Sequence, residues 1–251
     1  MTSGTPKKRP HAGPSQREVD AFCQAAYVGN VEVLAKFLST YGAAQVNRNS
    51  QYDNSALQQA AEGGRMEAVK LLLEAGADVN QRMGSDMSPL VCAVSMGFYE
   101  IARLLLEKGA DAEAKDDDGR TALIWAAHEG NAAMVDLLLE NNAAINEKDT
   151  RGFTPLIWAA RMGDRPSISA LLENGADMDA VSNAGHTALE SAQYAHHDEA
   201  AALIRQWPEV LRQRKQKELD AEMADFSSAL KQDIPARPPL KFQPKRGGPR
   251  P

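Results

Sequence analysis

The chain has 251 residues, of which 43% are hydrophobic and 25% charged, and its net charge is −6. Its longest apolar runs, residues 90–94 and 122–127, are far shorter than the roughly 18 residues that a membrane-spanning helix needs. Two cysteines are too few for a disulfide scaffold or for a zinc site built mainly of cysteine, so the composition predicts a soluble protein.

Residues 1–14 are predicted to form a disordered basic tail, because they contain Lys7, Lys8 and Arg9 and no acidic residue. No apolar stretch follows this basic start, although a secretory signal requires one. We therefore expect an intracellular protein, located in the cytoplasm or the nucleus. Ser15 and Glu18 then have the spacing of a capping box, which predicts that the first helix begins here.

A 33-residue repeat occupies most of the chain after this point. Five leucines recur at that spacing: Leu57, Leu90, Leu123, Leu156 and Leu189. Each is followed by a second apolar stretch, and four of the units then close with a line such as Gly-Ala-Asp-Val-Asn at Gly76–Asn80. This pattern predicts a helix, a turn, a second helix and a loop in each unit.

A divergent unit precedes these five, so the sequence predicts six units. We place them at about residues 15–47, 48–80, 81–113, 114–146, 147–179 and 180–207. No single unit can bury its own apolar faces, and the units must therefore stack into a linear solenoid. Alanines at 126, 127, 159 and 160 are small enough for the helices of adjacent units to approach closely.

Local signals indicate where the helices begin and end. Thr121 is a predicted N-cap, and Pro155 suits a first helical turn. Gly130 and Gly163 are expected to end first helices in a left-handed conformation. In the last unit Tyr194-Ala195-His196-His197 replaces this glycine, which is typical of a terminal repeat.

These lines resemble the ankyrin repeat, whose hallmark is a 33-residue period that opens with Thr-Pro-Leu-His-x-Ala. Residues 154–156 read Thr-Pro-Leu, and the lines at 88–90, 121–123 and 187–189 match in part. The resemblance covers about residues 15–207 and implies an all-α ankyrin-repeat solenoid. It further implies a non-catalytic scaffold that binds a protein partner through a concave groove formed by the first helices and the hairpin tips.

The chain departs from the ankyrin pattern at the histidine, which in the family helps to link neighbouring units by hydrogen bonds. The five corresponding positions hold Gln58, Val91, Ile124, Ile157 and Glu190. At the three aliphatic positions we expect packing alone. Asn47, Asn80 and Asn146 recur near the start of the hairpins; such asparagines are hydroxylated in some ankyrin proteins, but the prediction favoured here is a structural role in the turn.

Helical geometry indicates which side chains face the groove. A residue two positions after the repeated leucine points roughly 200° away from it, and two such residues are Trp125 and Trp158. The positions five and six after the leucine add Met96, His128, Glu129, Arg161 and Met162. Together they predict an apolar patch of the kind enriched in interfaces. The alternative is that both indoles fill the space between neighbouring first helices.

The hairpin tips supply the charged part of the predicted site. Asp117, Asp118 and Arg151 are expected to line one edge of the groove, where the aspartates would dock a basic segment of a partner. Asp116 and Asp149 are instead expected to bind the amides of their own hairpins. A calcium loop is not predicted, because the terminal glutamate that such a loop requires is missing.

No catalytic constellation, cofactor motif or metal-ligand spacing is present in the sequence. His186, His196 and His197 lack further ligands at a suitable distance, and Cys23 and Cys92 have no reactive context. We therefore expect a protein that is not an enzyme, needs no cofactor and acts as a monomer.

The C-terminal region changes character after residue 207. Leu219, Met223, Phe226 and Leu230 predict an amphipathic helix over residues 208–233, whose basic residues precede its acidic ones and therefore oppose the helix dipole. Such a helix would need a surface, either the last repeat or a partner. Residues 234–251 contain six prolines and five basic residues, which predicts a disordered tail.

The charge of −6 is unevenly distributed. Residues 1–17 carry four basic and no acidic side chains, and residues 208–251 carry ten basic and six acidic ones. The body, 18–207, is left with 14 basic and 28 acidic residues. An alternative function is therefore a tether to nucleic acid or to an anionic membrane, in which the basic ends bind and the repeats regulate.

Overall fold

The computed structural model describes residues 13–82 and 86–232, with side chains as far as residue 224. Within these ranges it contains twelve α-helices and one short 3₁₀ helix, which confirms the all-α prediction. The predicted terminal tails, apart from residues 13–14, lie outside the described residues, and so do the side chains of Phe226 and Leu230.

Each unit consists of two antiparallel helices. The first helices are α1 (Gln16–Val28), α3 (Ala56–Glu62), α5 (Pro89–Ser95), α7 (Ala122–His128), α9 (Pro155–Met162) and α11 (Ala188–Tyr194). The second helices are α2 (Val31–Tyr41), α4 (Met66–Glu74), α6 (Tyr99–Glu107), α8 (Ala132–Glu140), α10 (Arg165–Glu173) and α12 (Asp198–Gln232). The 3₁₀ helix Ala43–Gln45 follows α2.

Hydroxyl side chains begin every first helix. Each accepts a hydrogen bond from the backbone N–H three residues later, and the six caps are Ser15, Ser55, Ser88, Thr121, Thr154 and Thr187. Ser15 and Thr187 form complete capping boxes with Glu18 and Glu190. The predicted cap at Thr121, the predicted box at Ser15 and the proline in the first turn of α9 are all confirmed.

The turn after each first helix requires a positive φ. Gly130 and Gly163 have φ values of 66° and 72°, and in the last unit His196 adopts 61° in place of glycine. The terminal unit therefore makes the same turn with a residue for which the left-handed conformation is less favourable.

The first helices pack in one row, from α1 against α3 through to α9 against α11, and the second helices pack in a second row from α2 to α10. Leu57, Leu90, Leu123 and Leu156 are at most 2% exposed, so these four of the five repeated leucines belong to the core between the rows. The alanines at 126, 127, 159 and 160 are completely buried, consistent with the close approach predicted for adjacent units.

Polar side chains also connect successive loops. The side-chain oxygen of Asn80 accepts the N–H of Asp111 at 2.8 Å. Equivalent bonds occur at three other junctions, where Asn47 accepts from Asp78, Glu113 from Ala144 and Asn146 from Asp177. The recurring asparagines therefore have a structural role, but they act between units rather than within one turn.

The positions that lack the ankyrin histidine behave in two ways. Val91, Ile124 and Ile157 are buried and contribute packing, as predicted. Gln58, in contrast, donates a hydrogen bond from Nε2 to the carbonyl of Met87 in the next unit at 3.2 Å. A polar link therefore persists between the second and third units.

The compact body ends at Arg205, and a second structural unit begins at Gln206. The sequence placed a separate helix at residues 208–233, but α12 continues without interruption from Asp198 to Gln232, with Pro208 inside it. One proline removes a backbone donor, while the glycine-free run of helix-forming residues around it favours continuation. From residue 211 to residue 224 every side chain is exposed.

In the part of the chain that the structure describes, no helix is long and apolar enough to cross a membrane.

Candidate partner-binding surface

The hairpin of the fourth unit is organised by Asp116. One carboxylate oxygen accepts the N–H groups of Asp118 and Arg120 at 3.0 and 2.8 Å. The other accepts the indole N–H of Trp125 at 2.8 Å. Asp116 therefore satisfies hairpin amides, as predicted, and also ties the hairpin to the first helix of its unit.

The fifth unit repeats this arrangement around Asp149. This carboxylate accepts the N–H groups of Arg151 and Phe153 at 2.9 and 2.8 Å, and the indole N–H of Trp158 at 3.0 Å. The sequence analysis missed both indole bonds. The available signal was the nine-residue spacing from aspartate to tryptophan, which both units share.

Trp158 is only 4% exposed, so the prediction that it lies open in the groove is wrong. The ring centres of His128 and Phe153 lie 4.6 and 5.1 Å from that of the indole, and the guanidinium carbon of Arg151 lies 4.9 Å from it. The hairpin folds over this helical position and covers it. Trp158 thus fills space between units, as in the alternative interpretation, and supports the surface from beneath.

Trp125 occupies the equivalent position but is only partly buried. Arg120 lies over its ring at 4.8 Å, and His128 approaches its edge at 5.7 Å. The guanidinium of Arg120 also forms an ion pair with Asp118 at 3.0 Å, and its side chain is only 13% exposed. Arg120 is therefore part of the packed scaffold.

Above this layer lies the groove surface, defined as Met96, Trp125, His128, Glu129, Arg161 and Met162. Met96 and Met162 are 53% and 41% exposed, and Glu129 and Arg161 are exposed as expected. Met96, Glu129 and Met162 have equivalent positions in three consecutive units, so they form one row along the first helices. His128 is partly exposed, and its Nδ1 lies 2.8 Å from Oε1 of Glu129.

The tip residues Asp117, Asp118 and Arg151 are all exposed. The carbonyl of Asp118 accepts the N–H of Thr150 at 2.9 Å, which joins the tips of the fourth and fifth units. The structure therefore places two aspartates and one arginine side by side at the edge of the groove surface.

Other residues considered in the sequence form no comparable site. Burial raises the pKa of both Cys23 and Cys92 to about 12, so each thiol stays protonated at neutral pH and is a poor nucleophile. His186 stacks on Tyr194 with ring centres 6.2 Å apart. Among the described residues, no three His, Cys, Asp or Glu side chains are grouped as metal ligands.

A cleft that the sequence did not indicate lies on the opposite side, beside the second helices α4 and α6. It has a volume of about 410 Å³, and its lining includes Lys70, Leu73, Val79, Leu104 and Lys108. Glu74 also lines the cleft, so both charges accompany its apolar residues.

Comparisons with known proteins identify the repeat. A family model described as ankyrin repeats in three copies matches residues 82–149 and 141–211, and a second, described as ankyrin repeats in many copies, matches residues 57–106. These ranges include the whole groove surface and all three tip residues. A comparison with curated proteins gave no significant match.

Proposed function

The chain belongs to the ankyrin repeat family, and from this premise we propose that it is a non-catalytic scaffold that binds a protein partner through the groove surface and the tip residues. Ankyrin repeats are generally protein–protein interaction modules, and proteins built from them are typically not enzymes. The proposal specifies where this chain binds and what it recognises.

The observation that carries the proposal is the exposure of two methionines, Met96 and Met162, on the face formed by the first helices. Met96 and Met162 are 53% and 41% exposed and lie at equivalent positions two units apart, with Glu129 between them. Methionine adapts its shape to a partner and is enriched in interface cores. An apolar segment of the partner would lie across these side chains.

The tips add charge to this apolar strip. Asp117 and Asp118 are exposed beside a groove that presents apolar atoms, and Asp118 is also paired with Arg120 of its own hairpin. A basic residue of the partner would bind there, at the fourth unit. Such charges at the rim of an interface mainly increase the association rate and select the partner.

Affinity capture with variants of the full chain tests this function. Met96→Gln with Met162→Gln keeps the side-chain size but removes the apolar character. We expect proteins captured specifically by the unmodified chain to bind at least about tenfold more weakly, because exposed apolar anchors at an interface centre dominate affinity. Quantitative mass spectrometry of the captured proteins gives the measurement.

The matched control is Val33→Gln with Tyr99→Gln. These residues are similarly exposed but lie in the first turns of the second helices α2 and α6. The control should retain the captured proteins. If the methionine variant also retains all of them while its circular dichroism is unchanged, the groove assignment is wrong.

The acidic tip is tested separately with Asp117→Asn and Asp118→Asn. The control, Glu74→Gln with Glu140→Gln, removes the same charge from the second helices. Only the tip variant should slow association, and the difference should shrink at high salt because exposed charges are screened.

The alternative function, a tether through the basic ends, is supported by the charge distribution of the sequence alone. It predicts that the full chain binds nucleic acid or anionic vesicles with a steep dependence on salt. Removing residues 1–14 and 234–251 should then abolish binding. Absence of binding at low salt would exclude this function.

A further inference from the structure

Two guanidinium groups of the fifth unit lie close to one aromatic ring. The guanidinium carbon of Arg151 lies 5.5 Å from the ring centre of Phe153, and that of Arg161 lies 5.8 Å from the same centre. Arg151 also lies over the ring of Trp158 at 4.9 Å. Contact with an aromatic face holds a guanidinium in place without using its N–H donors.

The carboxylate nearest to Arg151 is already engaged. Oδ2 of Asp149 lies 4.0 Å from Nε of Arg151, and this carboxylate is 1% exposed. Its oxygens accept the indole N–H of Trp158 and two backbone N–H groups. Asp149 therefore offers Arg151 charge at a distance but no well-formed hydrogen bond.

Arg161 has still fewer anionic contacts. Among the described residues, no carboxylate oxygen lies within 4 Å of its guanidinium nitrogens, and the side chain is exposed. Arg120 of the preceding unit differs, because it is largely buried and paired with Asp118. Arg151 and Arg161 thus present accessible guanidinium groups in a body that has twice as many acidic as basic residues.

We propose that Arg151 and Arg161 bind an oxyanion carried by the partner segment, either the carboxylate of an acidic side chain or the phosphate of a phosphorylated one. The inference rests on the proposed function and specifies the partner's chemistry. Asp118 and Arg151 hold equivalent positions in adjacent, directly bonded hairpins. The partner segment therefore carries a basic residue at the fourth unit and an oxyanion at the fifth.

The geometry suits arginine in particular. A guanidinium presents a planar fork of donors that matches the two oxygens of a carboxylate or phosphate. Because an extended peptide presents every second side chain on the same face, one segment crossing the two joined hairpins can present a basic and an anionic side chain to them. The opposed charges also fix the direction in which that segment lies.

The three tryptophans allow a direct test with the full chain. Their indole N–H signals are assigned by single substitutions such as Trp158→Phe. The chain is then titrated with two probes, a short polyglutamate peptide and a peptide of alternating glycine and phosphoserine. We expect the Trp158 signal to shift and saturate, while the Trp207 signal, whose ring lies beside Arg214, serves as the reference.

Arg151→Gln with Arg161→Gln should weaken the binding of the probes about tenfold, the effect of losing charge-assisted hydrogen bonds. Arg151→Lys with Arg161→Lys should weaken it less, because the charge remains while the planar fork is lost. The control, Lys36→Gln with Lys108→Gln, removes the same charge from exposed positions of the second-helix face and should leave affinity unchanged.

Tighter binding of the phosphoserine peptide identifies a phosphorylated partner, and equal or tighter binding of polyglutamate identifies a carboxylate. The proposal is overturned if Lys36→Gln with Lys108→Gln weakens probe binding as much as the arginine-to-glutamine variant does. It is also overturned if neither probe shifts the Trp158 signal. If the methionine variant loses the captured proteins and the arginine variant keeps them, the scaffold function stands and only the oxyanion site is wrong.

Discussion

The two tryptophans of the groove have equivalent positions but different burial, and single neighbouring residues explain the difference. Trp158 is covered by His128 of the preceding unit and by Phe153 of its own hairpin. The residues 33 positions earlier, which would cover Trp125, are Ser95 and Arg120. Serine is too small to reach the indole, so Trp125 stays partly open.

This difference predicts unequal costs for the same substitution. Trp158→Phe should lower the free energy of unfolding by about 1–3 kcal/mol, because it leaves an oxygen of the buried Asp149 without its donor. Trp125→Phe should cost less, since water can replace the indole at the partly exposed Asp116. Urea denaturation of both variants provides the measurement, and equal losses would contradict this account of the two hairpins.

Glu18 gives a second prediction for a single residue. Hydrogen bonds from the hydroxyls of Ser15 and Tyr41 lower the pKa of Glu18 from 4.5 to about 2. Because the folded pKa is the lower one, the stabilisation is complete above the unfolded pKa and is lost as the pH falls towards 2. The difference in Tm between the unmodified chain and Glu18→Gln should therefore shrink over this range.

The mechanism can be checked by NMR titration of the Glu18 carboxylate. Tyr41→Phe removes one of the two hydroxyl donors and should raise the pKa of Glu18 part of the way towards 4.5. A Tm difference that stays constant between pH 4.5 and 2 would show that the capping box contributes no pH-dependent stability.

At the scale of elements, signals confined to one helix were sufficient for prediction. The caps at Ser15 and Thr121 and the proline of α9 depend on a few adjacent residues, and all three are found in the structure. The separate helix predicted for residues 208–233 is part of the longer α12, because the helix-forming residues on both sides favour one continuous helix more than Pro208 opposes it. The effect of one proline on a helix therefore depends on the helix propensity of the whole surrounding segment.

The hairpins provide an element-scale prediction through Gly152. Its φ is 75°, and an added Cβ would lie 2.8 Å from the backbone nitrogen of Asn183 in the next hairpin. Gly76 has a φ of 86°, with nothing within 4 Å of such a Cβ. Alanine should cost about 1–2 kcal/mol at Gly76 from backbone strain alone, and more at Gly152.

The additional cost at Gly152 arises because the N–H of Asn183 donates to the carbonyl of Arg151 at 2.9 Å. Moving the hairpin to make room for a methyl group would break this bond between units. Urea denaturation of Gly152→Ala and Gly76→Ala measures the difference. Similar free energies of unfolding for the two variants would mean that the hairpins accommodate the methyl group without losing the hydrogen bond between Asn183 and Arg151.

For the whole molecule, the repeat period determined most of what could be predicted. The register of the leucines predicted the order of the units and the equivalent positions of Met96, Glu129 and Met162. The register could not predict that Trp158 is buried, because its burial depends on the side chain that the preceding unit presents to it, which is His128. It also could not show the Arg151–Phe153–Arg161 cluster, since residues ten apart on a hairpin and a helix meet only after the hairpin folds back.

The linear arrangement of the units predicts which of them unfold when one core leucine is replaced. Leu34 in the first unit and Leu123 in the fourth are both completely buried. Replacing either by alanine should therefore lower the free energy of unfolding by about 2.5–5 kcal/mol. Each unit of a solenoid contacts only its neighbours. Leu34→Ala should therefore unfold the end unit alone, whereas Leu123→Ala should destabilise units on both sides.

Hydrogen exchange by mass spectrometry should show lost protection confined to α1 and α2 in the first variant and spread from α5 to α10 in the second. Uniform loss of protection in Leu34→Ala would instead mean that the body unfolds as one cooperative unit.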